Sequence, residues 1–203
     1  MEASILRMPS APVLPIRPAI ERRRTSFVGM VMALASWTML FASLFFAYAV
    51  LRLRADSWPP EGARALPKLL PGLNTLVLLA SSVVLRFGIR PEAEDRPGAL
   101  FSALKAAIAL GSGFLALQFG VWVPLWRSGF TFASGIYGSV FYGLTTLHAL
   151  HVAAGLVALA CPLPAARRGA YLSGRQNAVR LTAMFWDYMD VIWLLMFVTI
   201  YLI

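Results

Sequence analysis

Five long apolar runs, separated by short polar segments, dominate the pattern of hydrophobic and polar positions along the chain. Each run is long enough to cross a bilayer as a helix, which takes about 20 apolar residues. The pattern therefore predicts an all-α polytopic membrane bundle of five transmembrane helices. The predicted helices span residues 26–51, 69–89, 99–124, 134–160 and 180–203.

The polar segments predict how the chain is divided and oriented. Residues 1–25 are rich in Pro and Arg and are expected to form an irregular tail before a membrane domain over 26–203. Thirteen of the 18 Lys and Arg residues lie in this tail or in the loops and helix ends on the same side of the membrane. Because basic residues favour the cytoplasmic side, the N-terminus is predicted to be cytoplasmic and the C-terminus outside.

Composition supports a membrane protein and argues against other classes. Hydrophobic residues make up 59% of the chain and charged residues 13%, whereas a soluble domain carries about 25% charged residues. The net charge of +9 would suit a nucleic-acid partner. The basic residues, however, lie in short loops where they orient membrane helices. We therefore expect no nucleic-acid partner.

Ionisable side chains interrupt two of the apolar runs. His148 and His151 lie in the fourth run, and Asp187 and Asp190 lie in the fifth. Charge inside a bilayer is costly and needs a partner. His151 and Asp190 are each about ten residues, or roughly 15 Å, from the cytoplasmic end of their helix. We predict that Asp190 is hydrogen-bonded to His148 or His151, which would fix the fifth helix against the fourth.

The two histidines allow three interpretations. They can hydrogen-bond to neighbouring helices, or they can relay protons, since histidine titrates near neutral pH. They can also bind a metal, although two ligands without a third His or Cys make a poor site. Gln118 in the third run is predicted to donate an interhelical hydrogen bond.

Small residues and tryptophans predict how the helices pack. Gly135, Ser139 and Gly143 repeat every four residues, a spacing that allows helix backbones to approach closely. The same spacing recurs at Ala103, Ala107 and Gly111. Trp186 and Trp193 share one face of the fifth helix, which is more typical of packing than of cofactor binding.

Other aromatic and basic residues mark the membrane surface. Trp58 lies beside the outer end of the first helix and suits the headgroup region, where tryptophan is enriched. Arg167 and Arg168 follow the fourth helix and are candidates for contacts with lipid headgroups.

The inventory of potential ligands argues against a redox cofactor in this chain. Cys161 is the one cysteine, so the chain has neither the CxxCH motif for covalent haem nor a Cys pair for zinc or iron–sulfur. A haem held by two histidines needs them on opposite faces of its ring. His148 and His151 lie on one helix face and cannot supply both. We expect no catalytic, cofactor-binding or metal-binding residue here.

Four motifs follow one another along the predicted helices. They are Trp58-Pro59-Pro60, Asn74-Thr75 with Leu78-Leu79-Ala80-Ser81-Ser82, His148-Ala149-Leu150-His151-Val152 with Gly155, and Phe185-Trp186-Asp187-Tyr188-Met189-Asp190-Val191-Ile192-Trp193. Together they resemble cytochrome c oxidase subunit III of the haem–copper oxidase superfamily over residues 26–203. The corresponding family patterns are W-P-P, N-T-x-x-L-L-x-S-S, H-x-x-H-V-x-x-G and Y-W-H-F-V-D-x-V-W.

The resemblance implies an accessory role in a respiratory terminal oxidase of the bacterial cytoplasmic membrane. Family members bind no haem or copper. They pack against the catalytic subunit I, hold phospholipid there and lie beside its cytoplasmic proton entrance. The resemblance therefore implies that this chain supports proton uptake during oxygen reduction, and that haem and copper belong to its partner subunits.

Departures from the family pattern change three polar positions. Trp37 stands where the family has a buried glutamate, Val121 replaces the acid of Q-x-x-E-W, and Asp187 replaces the histidine of the last motif. Longer members also have two additional N-terminal helices that form a lipid-holding cleft. By resemblance, another oxidase subunit is expected to complete such a cleft here.

Two other functions remain alternatives. Because acids of the family are missing, the chain can be the subunit III-like protein found with nitric oxide reductases. It can also be an independent carrier, although the absence of repeats and of paired broken helices counts against that.

Overall fold

The computed structural model describes residues 16–60, 66–90, 98–168 and 177–202, and it confirms an all-α membrane bundle. Five of its helices are long and apolar enough to cross a membrane. The helices are α1 (Ile16–Arg54), α2 (Leu69–Gly88), α3 (Ala99–Arg127), α4 (Gly135–Ala160), the short α5 (Leu163–Arg167) and α6 (Asn177–Met196), which continues as a π-helix (Phe197–Leu202).

The start of α1 differs from the sequence prediction. Residues 16–25 are helical, although they were expected to belong to an irregular tail; residues 1–15 lie outside the described part of the chain. Pro18 falls in the first turn of α1, where proline is tolerated because the N–H it lacks would have no helical partner. The arginines that follow are good helix formers, so the helix extends beyond the apolar run.

The third helix also continues past its predicted end. α3 contains Pro124 and ends at Arg127. The sequence prediction ended this helix at the proline, which usually interrupts a helix. Here the last turn is closed by hydrogen bonds from the backbone N–H of Ser128 to Pro124 and Leu125.

The helices pack around α6. α2 lies against α3 and α6, α4 lies against α3 and α6, and α1 contacts α4 and α6. The tightest approach joins α2 to α3, where a Cβ added to Gly88 would collide with Ala103. α1 is more loosely attached: Met39 and Phe46 are 77% and 73% exposed. Such exposure is acceptable in a bilayer, because lipid tails are as apolar as these side chains.

Trp186 of α6 fills the centre of the bundle and requires glycine on two sides. A Cβ added to Gly111 of α3 would lie 2.7 Å from the indole ring, and one added to Gly155 of α4 would lie 2.9 Å from it. The predicted close approach along Ala103, Ala107 and Gly111 is therefore confirmed at Ala103 and Gly111.

The second predicted stripe of small residues does not form a helix contact within the described residues. A Cβ added to Gly135 or Gly143 would meet no atom within 4 Å, and the Ser139 hydroxyl donates locally to the Phe132 carbonyl, 2.7 Å away. The packing prediction for Gly135, Ser139 and Gly143 is wrong. The close approach of α4 occurs at Gly155, which lies about 120° around the helix from Gly143.

Candidate functional site

A row of polar contacts joins α2 to α6, and we call it the polar seam. Its residues are Thr75, Ser81, Ser82 and Arg86 of α2 with Trp186, Asp187, Asp190 and Trp193 of α6. The indole N–H of Trp186 donates to Ser81 Oγ, and that of Trp193 donates to Thr75 Oγ1, each over 2.9 Å. The two tryptophans are two helical turns apart. The contacts therefore follow one another along a pair of antiparallel helices.

An ion pair forms the end of the polar seam near the start of α6. Arg86 donates twice to Asp187: Nε lies 3.3 Å from Oδ1 and Nη2 lies 2.7 Å from Oδ2. Two-pronged pairs of this kind are the strongest ordinary hydrogen bonds in proteins. The side chain of Asp187 is 25% exposed and that of Arg86 is 65% exposed. The half-buried carboxylate thus has the partner that charge inside a membrane requires.

Arg86 is the functional residue that sequence reasoning missed. It is the one charged residue in the predicted second helix, residues 69–89. A lone charge in an apolar run requires an opposite charge on a neighbouring helix. That requirement pointed to the acids of the fifth helix, but the sequence argument paired Asp190 with a histidine and gave Asp187 no partner.

Asp190 does not pair with either histidine, so that prediction is wrong. The Asp190 side chain is 6% exposed and lies with Asp187 beside Ser82 of α2. Asp190 Oδ1 and Ser82 Oγ have no well-formed hydrogen bond to any residue that the structure describes. The depth estimate compared heights along two helices, but height does not fix rotation about a helix axis. Asp190 turns toward α2, and the histidines turn elsewhere.

The histidines are held among aromatic rings. His148 is fully buried and stacks on Trp193 with ring centroids 5.4 Å apart. The rings of Phe41 and Phe114 approach it at steep angles, with centroids 6.5 Å and 5.9 Å away. Neither ring nitrogen has a hydrogen-bond partner within the described ranges. His148 therefore packs as a ring that joins α1, α3, α4 and α6.

His151 makes a local contact and meets α1. Its Nδ1 lies 2.7 Å from the Leu147 carbonyl of its own helix. Its ring lies 5.6 Å from that of Trp37 and 5.4 Å from that of Phe41. Trp37, which stands where the resembled family has an acid, thus covers His151 with an aromatic surface.

A second polar group lies at the opposite end of α2 from Arg86. Asn74 Nδ2 donates to Gln118 Oε1 over 3.5 Å. Gln118 thus accepts a long hydrogen bond between helices, and its Nε2 has no partner among the described residues, so the predicted donor role is not borne out. Tyr201 of the π-helix lies next to Gln118.

The residues proposed to meet lipid headgroups occupy different surroundings. Trp58 packs between two tyrosines, with ring centroids 5.6 Å from Tyr48 and 5.1 Å from Tyr137, and thereby joins the end of α1 to α4. Arg167 and Arg168 are exposed at the end of α5, and their contact with headgroups stays a prediction. Cys161 follows α4 and is exposed.

The contacts described above attach neighbouring helices to one another. In the portions of the chain that the structure describes, no three His, Cys, Asp or Glu side chains are close enough to share a metal ion. The donors of the polar seam are directed at acceptors on the neighbouring helix, and the rings around His148 fill space between helices.

The sequence of this chain is similar to those of known oxidase subunits. The family model described as cytochrome c oxidase subunit III matches residues 21–203. Cytochrome c oxidase subunit 3 of Synechocystis sp. is 33% identical over 86% of this chain and 74% of the relative. The protein of that name from Thermostichus vulcanus is 29% identical over 87% and 86%. The probable cytochrome c oxidase subunit 3 of Nocardia farcinica is 31% identical over 91% of both chains.

Proposed function

This chain belongs to the cytochrome c oxidase subunit III family, and we propose that it is a non-catalytic accessory subunit of a respiratory haem–copper oxidase. In this role it packs on subunit I, holds phospholipid at their contact and supports proton uptake during oxygen reduction. Haem and copper belong to the partner subunits. The complex lies in the bacterial cytoplasmic membrane, and the N-terminus of this chain is cytoplasmic.

The observation that carries the proposal is that side chains of the last family motif contact other helices inside the bundle. Trp186 and Trp193 direct their N–H groups at α2 hydroxyls, and His148 stacks on Trp193 in the interior. Asp187 is engaged by Arg86. These side chains hold the helices of the bundle together, which is the task expected of a subunit that supports a catalytic neighbour.

The exposed apolar surface supports a role within a larger membrane complex. Large apolar side chains of α1 and α2 are open to the surroundings, among them Met32 at 66% and Leu76 at 63% exposure. Such faces suit both acyl chains and another membrane subunit. Arg167 and Arg168 are exposed at the end of α5, and we propose that they meet the phosphate groups of bound lipid.

Separating the subunits of the purified complex tests the proposal. We expect the isolated chain to show no Soret band and no stoichiometric metal, because its two histidines and one cysteine do not form a ligand set for either. The remaining subunits should retain haem and the first turnovers of oxygen reduction. A Soret band that follows this chain, or loss of the first turnovers when it is removed, would overturn the accessory role.

Labelling of introduced cysteines tests the orientation. In a variant whose Cys161 is replaced by serine, a cysteine in the 128–133 loop should react with an impermeant reagent in intact cells. A cysteine introduced at residue 24 should react only after lysis. The opposite pattern would place the N-terminus outside.

A subunit III-like protein of a nitric oxide reductase is the alternative, and the replacement of family residues by Trp37, Val121 and Asp187 favours it. The similar proteins reported above are named for cytochrome c oxidase, so we propose the oxidase. The copurifying chains decide between the two. An oxidase complex contains a two-copper centre and an oxygen-reducing haem pair, and their replacement by a nitric oxide-reducing centre would establish the alternative.

A further inference from the structure

Four buried polar side chains lie in the half of the bundle opposite the Arg86–Asp187 ion pair, and we call them the amide cluster. They are Asn74 of α2, Gln118 and Trp122 of α3, and Tyr201 of the π-helix. Their relative exposures are 0%, 1%, 4% and 3%, so each is sealed from the surroundings by the bundle. The amide cluster differs from the polar seam in chemistry, because it contains no charged side chain.

Hydrogen bonding inside the amide cluster is incomplete. The bond from Asn74 Nδ2 to Gln118 Oε1 is 3.5 Å long, beyond the usual range for N–H···O bonds. Asn74 Oδ1, Gln118 Nε2, Trp122 Nε1 and the Tyr201 hydroxyl are buried without a well-formed hydrogen bond to any described residue, although Tyr201 and Gln118 are neighbours. An unsatisfied polar atom is costly in an apolar environment, and most costly where the surrounding solvent is hydrocarbon.

Rotating the amides does not remove this deficit. Turning Asn74 or Gln118 by 180° exchanges its oxygen and nitrogen, which changes the atom that lacks a partner. The indole of Trp122 can only donate and Asn74 Oδ1 can only accept, and each lacks a partner among the described residues. A complete set of bonds therefore requires a molecule that brings an additional acceptor and can also donate.

We propose that the amide cluster binds water inside the membrane, with at least one molecule held between Asn74, Gln118 and Tyr201. This water accepts a hydrogen bond from Gln118 Nε2, donates one to Asn74 Oδ1 and exchanges one with the Tyr201 hydroxyl. Three polar partners are the usual number for a buried protein water. The lack of charge in the cluster suits a small neutral ligand rather than an ion.

The position of Trp122 extends the site toward the end of α3. It lies one helical turn beyond Gln118 on the same face of the helix, and its N–H is unpaired within the described chain. A second water, bonded to the first, would accept from this indole. The bound water thereby connects α2 and α3 to the π-helix, a helix type that frequently occurs at functional positions.

High-resolution imaging of the intact oxidase complex in a lipid nanodisc tests the proposal directly. We expect a discrete solvent peak within hydrogen-bond distance of Gln118 Nε2, Asn74 Oδ1 and the Tyr201 oxygen. A map that shows the three side chains in direct contact, with no solvent peak between them, would overturn it. So would density of a lipid or another subunit at this position.

Radiolytic footprinting of the same complex provides a second measurement, because hydroxyl radicals form from water bound beside a buried side chain. For each residue, the rate of modification in the native chain is divided by its rate in the unfolded chain. This ratio should be several-fold higher for Tyr201 and Trp122 than for Trp193, which is equally buried and donates to Thr75. Gln118→Leu should remove this excess, whereas Phe119→Leu on the exposed face of α3 should leave it. Equal rates at Tyr201, Trp122 and Trp193 in the native chain would contradict the proposal even if the variant fails to assemble.

Discussion

The polar seam and the amide cluster, which share α2, solve the same physical problem in different ways. At the polar seam, α2 presents hydroxyls and a guanidinium to α6, and the indoles and Asp187 of α6 supply direct partners. At the amide cluster, α2 presents Asn74, and its neighbours leave several polar atoms unpaired. A polar helix face in a membrane can therefore be satisfied by side chains of matched geometry, or, as we propose for the amide cluster, by water.

The largest expected effect comes from removing the indole at the centre of the polar seam. Trp186→Ala deletes a fully buried ring and should lower the free energy of unfolding by about 3–5 kcal/mol. Denaturant titration in mixed micelles measures this loss. Trp126→Ala removes an indole that is 49% exposed and should cost much less. Equal losses in the two variants would show that Trp186 is not the centre of packing.

The glycines that admit Trp186 should show the next largest effect. Gly111→Ala places a methyl group 2.7 Å from the indole, and such overpacking typically costs about 1–3 kcal/mol. Gly143→Ala is the matched control, because its new methyl group meets no atom within 4 Å. Thermal melting of both variants under one detergent condition makes the comparison. A larger shift for Gly143→Ala would restore the packing role that the sequence first assigned to it.

The ion pair should respond unequally to loss of its two members. Arg86→Leu leaves the half-buried Asp187 unpaired and should cost about 1–3 kcal/mol. Asp187→Leu leaves an exposed guanidinium that can reach the headgroups, and should cost less than about 1 kcal/mol. The double variant should recover stability relative to Arg86→Leu. The same denaturant titration applies, and strictly additive losses would mean that the pair contributes no coupling.

The smallest expected effect is the loss of one indole hydrogen bond. Trp193→Phe retains an aromatic ring beside His148 but removes the donor to Thr75, at a cost of about 1 kcal/mol. Thr75 still donates to the Pro71 carbonyl, which limits the damage. Combining Trp193→Phe with Thr75→Val should give less than the sum of the single losses. If the double variant loses as much stability as the two single variants together, or more, the hydrogen bond between Trp193 and Thr75 does not stabilise the chain.

The sequence was sufficient to predict the membrane-spanning helices because a helix is indicated by residues that are close together in the chain. Apolar length defined the five membrane spans, and the four motifs identified the family that the comparisons confirm. Even so, the arginines that follow Pro18 extended α1 beyond its apolar run, since helix propensity and hydrophobicity are separate properties.

The site was predictable only in part because pairing depends on rotation about each helix axis. The sequence identified Asp187, Asp190, His148 and Trp193 as interior polar or packing residues. It could not show that Asp190 faces Ser82 while His148 faces Phe41 and Phe114, since these residues come from five different helices. The Arg86–Asp187 pair was within reach, because a lone charge in an apolar run needs an opposite charge nearby.

We propose that the polar residues of this chain hold helices together and take no part in the chemistry of oxygen reduction. Asp190→Asn tests it most directly, because it preserves the shape of a buried side chain while removing its ability to exchange a proton. The measurement is the initial rate of oxygen reduction, with its accompanying proton uptake, in complexes that retain the variant chain. We predict that both match the wild type. Full retention of the chain with collapse of the first turnovers or of proton uptake would contradict the claim and make Asp190 part of a proton path.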